Sequence, residues 1–163
     1  GPSYDGRNTL NPTKHLDLFG GICTILFGVG WAKPILVDSG EFQRKRIDLI
    51  VVILVGFASL VGLAFVFSIL IPQVLTSFSH SVSLSTAAFL RIGTNISIWF
   101  ALLSLVPIPP LTAGMLIKEF GWECSQKLKG VFVGGLVLGA GLGLIQKLLE
   151  PLHSIFISLV MVE

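Results

Sequence analysis

The chain has 163 residues, 53% of them hydrophobic and only 12% charged, with a net charge of +2 and a mean hydropathy of +0.88. Eleven Lys and Arg with nine Asp and Glu are too few to cover a soluble core of this size, so composition excludes an ordinary water-soluble domain and points to one polytopic membrane domain over 1–163. The small net charge argues against nucleic acid as a partner, and Cys23 and Cys124, far apart and without CxxC or Cys/His spacing, argue against a disulfide framework or a structural zinc site.

Residues 1–17 are polar and read as a short extended segment without the apolar stretch of a cleavable signal. Asn11-Pro12 marks a turn, and Thr13 or Asp17 is placed to cap the next helix. Residues 18–32 are uncharged but few, and they contain Gly20, Gly21, Gly28 and Gly30. They read as a short, tilted or re-entrant helix, ended at the membrane interface by Trp31 and Lys33-Pro34. Cys23 within it is expected to pack rather than react. A brief strand over 35–37 and a polar loop with Arg44-Lys45-Arg46 follow.

Residues 49–71 carry no charge and, at ~1.5 Å per residue, reach about 35 Å, enough for a hydrocarbon core with some tilt. Pro72 is expected to end that helix. From Thr76 to Thr86 serines alternate with Phe78, Val82 and Leu84, with His80 on the polar side. This predicts an extended surface loop, open to a partner edge or simply solvated.

The uncharged run 92–117 contains Pro107, Pro109 and Pro110, three prolines in four positions. Each lacks an N–H and biases its predecessor toward extended geometry, so a Pro-broken helix is predicted. Broken backbone at membrane depth survives only where protein or a water-filled cavity surrounds it, which makes Ser104–Gly114 the candidate site. The sequon Asn95-Ile96-Ser97 is discounted because apolar sequence surrounds it.

Beyond a polar loop at 118–129 with Trp122, residues 131–149 are mostly apolar and place Gly135, Gly139 and Gly143 at i, i+4 and i+8. That is the small-xxx-small pattern of a close helix approach, within the fold or against a partner helix. Pro151 is expected to break the chain, leaving 152–162 as an interfacial segment. The fold class is therefore an all-α polytopic membrane protein with about four membrane-embedded segments (18–32, 49–71, 92–117 and 131–149). If the first segment crosses, Lys33, Arg44, Lys45, Arg46, Lys118, Lys127 and Lys129 share one face against Arg7, Lys14, Arg91 and Lys147. The richer face is then cytoplasmic; a re-entrant first segment changes the count.

Four stretches together resemble the site-2 protease family, the intramembrane zinc metalloproteases of peptidase family M50, and in particular its short bacterial branch. Gly6-Arg7-Asn8-Thr9-Leu10-Asn11-Pro12 resembles the branch's G-R-L-T-L-N-P. Asn11-Pro12-Thr13-Lys14-His15-Leu16-Asp17 matches N-P-x-x-H-x-D, Gly30-Trp31-Ala32-Lys33-Pro34 matches G-W-A-K-P, and Pro107-Ile108-Pro109-Pro110-Leu111 matches the P-I-P-P-L that precedes the family's D-G. Order and spacing agree over nearly the whole chain.

The resemblance implies a zinc ion held by two histidines of H-E-x-x-H, with the Glu as general base, and by an aspartate after P-P-L. This chain departs from that set. It contains no H-E-x-x-H; its histidines are His15, His80 and His153. Thr112 stands at the aspartate ligand position, Ala113 at the following glycine and Ser104 where the family has Asn, while Gly56-Phe57-Ala58-Ser59-Leu60 replaces G-P-x-x-N. The family's H-E-x-x-H helix lies upstream of the G-R-L-T-L-N-P strand, so a chain starting after it would lack those histidines. That would leave Thr112, Ser104 and Leu60 unexplained. His15 reads either as a zinc or proton-relay residue or, preferred, as a hydrogen-bond partner of Asp17 or backbone.

The expectation is a catalytically silent, site-2-protease-like subunit of a bacterial inner-membrane complex, without cofactor, whose partners are the lipid bilayer and another integral membrane protein. The alternatives are a zinc metalloprotease whose H-E-x-x-H helix lies upstream, and a small transporter using the proline break. The last would require a paired repeat and charged groups within a span; only one Pro-broken segment is seen, and no charged residue lies inside a confident span such as 49–71.

Overall fold

The computed structural model of the protein describes residues 18–28, 45–108, 111–114, 116 and 126–161. The expectations for residues 1–17, for 35–37, and for Asn11, Pro12, His15, Asp17, Trp31, Lys33, Pro34 and Pro110 lie outside these. Among the described residues all regular structure is helical. Two helices are long and apolar enough to cross a membrane, or three spans if one bent pair counts as one, against about four membrane-embedded segments expected.

Helix α1 (Leu18–Phe27) is shorter than the expected 18–32. Gly28 ends it at φ 70°, donating its N–H to Thr24 O at 3.0 Å. A left-handed residue after the last turn is a common helix stop, and glycine adopts it without a Cβ clash.

Helix α2 (Lys45–Ser77) runs through Pro72, which does not end it as expected. A proline removes one backbone hydrogen bond, and in an apolar setting neighbouring groups compensate. The carbonyl that loses its donor is that of Ser68, one turn earlier; in the turn after Pro72, Thr76 donates its hydroxyl toward Pro72 O and Gln73 O at 3.2 and 3.0 Å. The expected surface loop over 76–86 is also corrected. The helices are separated only by Phe78 and Ser79, and α3 (His80–Leu105) begins at once. Its serines look like loop formers because their hydroxyls compete for backbone. Here they bond back along the helix: Ser83 to His80 O, Ser85 to Ser81 O and Thr86 to Val82 O, at 2.8–3.0 Å.

These two helices form an antiparallel hairpin. On α3 the buried positions include Ser83, Ala87, Leu90, Thr94, Ser97, Ile98, Ala101 and Leu102, which step by three or four as far as Ser97 and then continue as adjacent pairs one turn apart. On α2, Ala64, Ser68 and Ile71 are buried while Leu54, Val55, Phe65, Val66 and Ile69 are exposed. In lipid both sides of a helix meet apolar surroundings, so close packing by small residues selects the protein-facing stripe.

Helix α4 (Gln126–Gly141) and helix α5 (Leu144–Val160) meet at a 70° bend. Two expectations fail here. Pro151 lies inside α5 and does not break it; the break is at Gly143, at φ 72°. Gly143 is therefore outside α4, so the three glycines do not form one helix face. Gly135 has open space where a Cβ would stand, and Gly139 meets Ile145 of the folded-back helix. The expected interfacial segment 152–162 is the second half of α5, with Phe156, Ile157 and Val160 packed against Ala64, Ile98 and Leu102. Phe156 also meets Phe57 edge-on at 5.6 Å.

Candidate functional site

α3 ends at Leu105, two residues before Pro107. Val106 is extended and bonds to Leu103 O; Ile108 then bonds to Val106 O at 2.9 Å and Leu111 to Ile108 O at 2.7 Å. Thr112–Gly114 form a 3-10 turn, closed by Gly114 N–H on Leu111 O at 3.0 Å. A helix stop ahead of the prolines is as expected. Residues 117–125, where a second half of the predicted broken helix would run, lie outside those described.

This turn rests on an apolar wall. Leu111 is buried with Cys23 of α1, Trp99 and Leu103 of α3 and Leu136 of α4, and Val106 and Ile108 pack beside them. Ala113 and Gly114 are buried, Thr112 is half-buried and Pro107 is exposed. Ser104 is half-buried, and its hydroxyl donates to Ala101 O at 2.6 Å, a bond within its own helix. Of the sequence-predicted set, Ser104, Pro107, Leu111 and Thr112 are thus gathered at one end of α3, while Gly135 and Gly139 sit on α4.

Two polar groups that local spacing does not single out adjoin the wall. The His153 ring of α5 stacks on Trp99, centroids 4.4 Å apart at 15°. Its Nε2 is buried without a protein partner among the described residues. Gln146 donates its amide N–H groups to Ala140 O at 3.1 Å and to Phe27 O at 3.4 Å. It thereby reaches the Phe27 carbonyl at the C-terminal end of α1, where the last carbonyls of a helix lack intrahelical donors, and adds a second donor to Ala140 O, which also accepts the Gly143 N–H at 3.1 Å. The Trp99–His153 stack and the Gln146–Phe27 bond join residues 54 and 119 positions apart in sequence. No periodicity reports them.

Zinc takes thiolate, imidazole and carboxylate donors, usually three or four from the protein. Among the described residues no group of three or more His, Cys, Asp or Glu could hold a metal ion. The hydroxyls of Ser104 and Thr112 are weak zinc ligands. The described residues alone do not fit a zinc site.

Comparison with known proteins gives one relative of note. Over 117 residues the chain is 35% identical to "Putative zinc metalloprotease YwhC" of Bacillus subtilis (strain 168), covering 70% of this chain and 53% of that protein. The chain thus spans about half the length of the curated relative it matches. No family model matches, and no solved structure matches. The likeness supports a site-2-protease-like relationship at family level, and with the apolar helices it suggests a membrane protein.

Proposed function

We propose that the chain is a catalytically silent, site-2-protease-like integral membrane protein, acting as a structural or accessory subunit that binds another membrane protein in a bacterial inner membrane. The observation that carries this reading is Thr112. At the position where the resemblance places a carboxylate ligand, the chain has a neutral hydroxyl on a 3-10 turn packed against an apolar wall. Ser104, in place of the family's polar amide, spends its hydroxyl on its own helix. The scaffold prolines remain, which suits a groove filled by protein better than one that positions water and a scissile peptide.

The test is elemental analysis of the full chain purified in mild detergent, together with identification of what arrives with it. The reading expects substoichiometric zinc and a membrane protein in fixed proportion. One tightly held zinc per chain would overturn it.

The relative's printed name favours a second reading: an intramembrane zinc metalloprotease of M50 type whose H-E-x-x-H helix stands outside these 163 residues. On that reading Thr112 would be an atypical neighbour of a metal held elsewhere. Cleavage of a model transmembrane peptide by the chain joined to its upstream coding sequence, abolished by a chelator, would establish it.

A further inference from the structure

We infer that the tip of the α2–α3 hairpin, residues 72–90, is a lipid-contacting anchor that sits in the headgroup layer of the leaflet opposite Lys45–Asp48. The inference rests on the membrane reading of these two helices and adds where the hairpin stops.

The charges supply the ruler. Between Asp48 and Arg91 there is no Asp, Glu, Lys or Arg. Arg91 is exposed on α3, one residue after Leu90, which packs with Ile71, and two before Gly93, which lies against Phe67. Its level on α2 is therefore between Phe67 and Ile71. From Asp48 to that level the helix rises about 30–35 Å, which equals a hydrocarbon core of about 30 Å with modest tilt. Both charges then stand at its two edges, where a long arginine side chain extends outward to the headgroups.

The hairpin does not stop at that edge. α2 continues to Ser77 and α3 starts at His80, so roughly 10–15 Å of paired helix projects further. The headgroup layer on one side is only about 5–8 Å thick, and the arginine's outward reach and helix tilt take up much of the remainder. The whole of α2, about 50 Å long, matches the full bilayer of about 40–45 Å at a moderate tilt.

The chemistry of the tip suits that layer. Phe78 is 59% exposed and Phe89 70%, and Leu75, Val82 and Leu84 are exposed between them. The polar side chains of Gln73, Ser77, Ser79, His80 and Ser81 are exposed among them. Exposed phenylalanine and aliphatic groups are unfavourable in water, and a cluster of amide, imidazole and hydroxyl groups is unfavourable in hydrocarbon. A mixture of ester, water and acyl ends accommodates both.

The full chain reconstituted in phosphatidylcholine vesicles tests this. An environment-sensitive fluorophore is placed on Ser79→Cys, on Val82→Cys and, as a reference, on Leu63→Cys at mid-length of α2; the chain without these added cysteines reports background from Cys23 and Cys124. Quenching is compared between lipid carrying a nitroxide on the headgroup, lipid carrying it deep on the acyl chain, and aqueous iodide. At both tip positions the headgroup nitroxide is expected to quench several-fold more strongly than the deep one, with little effect of iodide. Leu63→Cys should show the reverse lipid order. Tip labels quenched freely by iodide would place the tip in water, and labels quenched best by the deep nitroxide would place it in hydrocarbon. Labels shielded from all three would mean a second copy or another protein covers it. Each of these overturns the inference, whereas a reference label untouched by the deep nitroxide would instead defeat the membrane reading beneath it.

Discussion

Phe67 of α2 lies against the α3 backbone at Gly93: a β-carbon added there would stand 2.8 Å from Cε2 and 2.9 Å from Cδ2 of the ring. Glycine is required here by the close approach of a neighbour, since its backbone is ordinary helix. Gly93→Ala gains helix propensity of about 1 kcal/mol but overpacks the contact, typically by 1–3 kcal/mol. A net loss of about 1 kcal/mol is expected, read as a lower thermal midpoint in detergent. In a Phe67→Leu background the same change should be neutral or stabilising; an equal loss there would place the strain elsewhere.

The Trp99–His153 stack joins α3 to α5 across apolar surroundings. A double-mutant cycle with Trp99→Leu and His153→Leu should give a coupling of about 0.5–1.5 kcal/mol, the range of aromatic pairs. His153→Phe should keep most of the stability, because the face contact survives and the unpartnered Nε2 is removed. Additive losses would mean the stack holds nothing.

Three glycines at helical spacing part company by mutation. Gly143 has φ 72°, so Gly143→Ala is expected to lose about 1–2 kcal/mol from left-handed strain. Gly135 has open space at its Cβ position, and Gly135→Ala should gain up to about 1 kcal/mol. Gly139→Ala, with Ile145 Cγ1 at 3.3 Å, should fall between them. Equal losses at all three would restore the shared packing face in place of the bend.

Gln146 holds the bend against α1 through two carbonyls. Gln146→Leu removes the donor from the Phe27 carbonyl, while Ala140 O keeps the Gly143 N–H, and should cost about 1 kcal/mol. Gln146→Glu should cost more, since a carboxylate would face carbonyl oxygens with no proton to offer. Circular dichroism melts of the two variants decide the order.

Thr112→Asp restores the carboxylate that the resemblance places at this position. Because no group of three metal donors occurs among the described residues, the variant is expected to bind no more zinc than the parent, measured by elemental analysis after dialysis. Stoichiometric zinc on the variant would point to further ligands outside the described residues, and would favour the protease reading.

Much of the architecture was legible from composition and local pattern. The uncharged run 49–71 had to be helical if it crosses a bilayer, because lipid offers no partner to a free N–H or C=O. The end of α3 before Pro107 was equally readable, since proline carries its restriction in its own ring. Hydroxyl-rich Thr76–Thr86 was misread because the same Ser and Thr groups that close loops can bond back onto a helix. Pro72 and Pro151 were misread as stops because one missing hydrogen bond is tolerated when the turns on either side are packed or exposed.

At the candidate site, sequence supplied Ser104 and Thr112, two neutral hydroxyls beside the prolines. The tertiary structure supplied their setting: the wall of Cys23, Trp99, Leu103, Leu111 and Leu136, the His153 stack and the Gln146 bridge. These could not be read in advance, because in a chain this apolar nearly every position qualifies for the interior. The sequence by itself determined that the chain has the composition of a membrane-class helical protein, since residue type alone decides hydropathy. Only the tertiary structure decided which stripe faces protein, and that the chain folds back at Gly143. Those outcomes depend on close packing of small residues and on one positive φ, quantities set by neighbours distant in the chain.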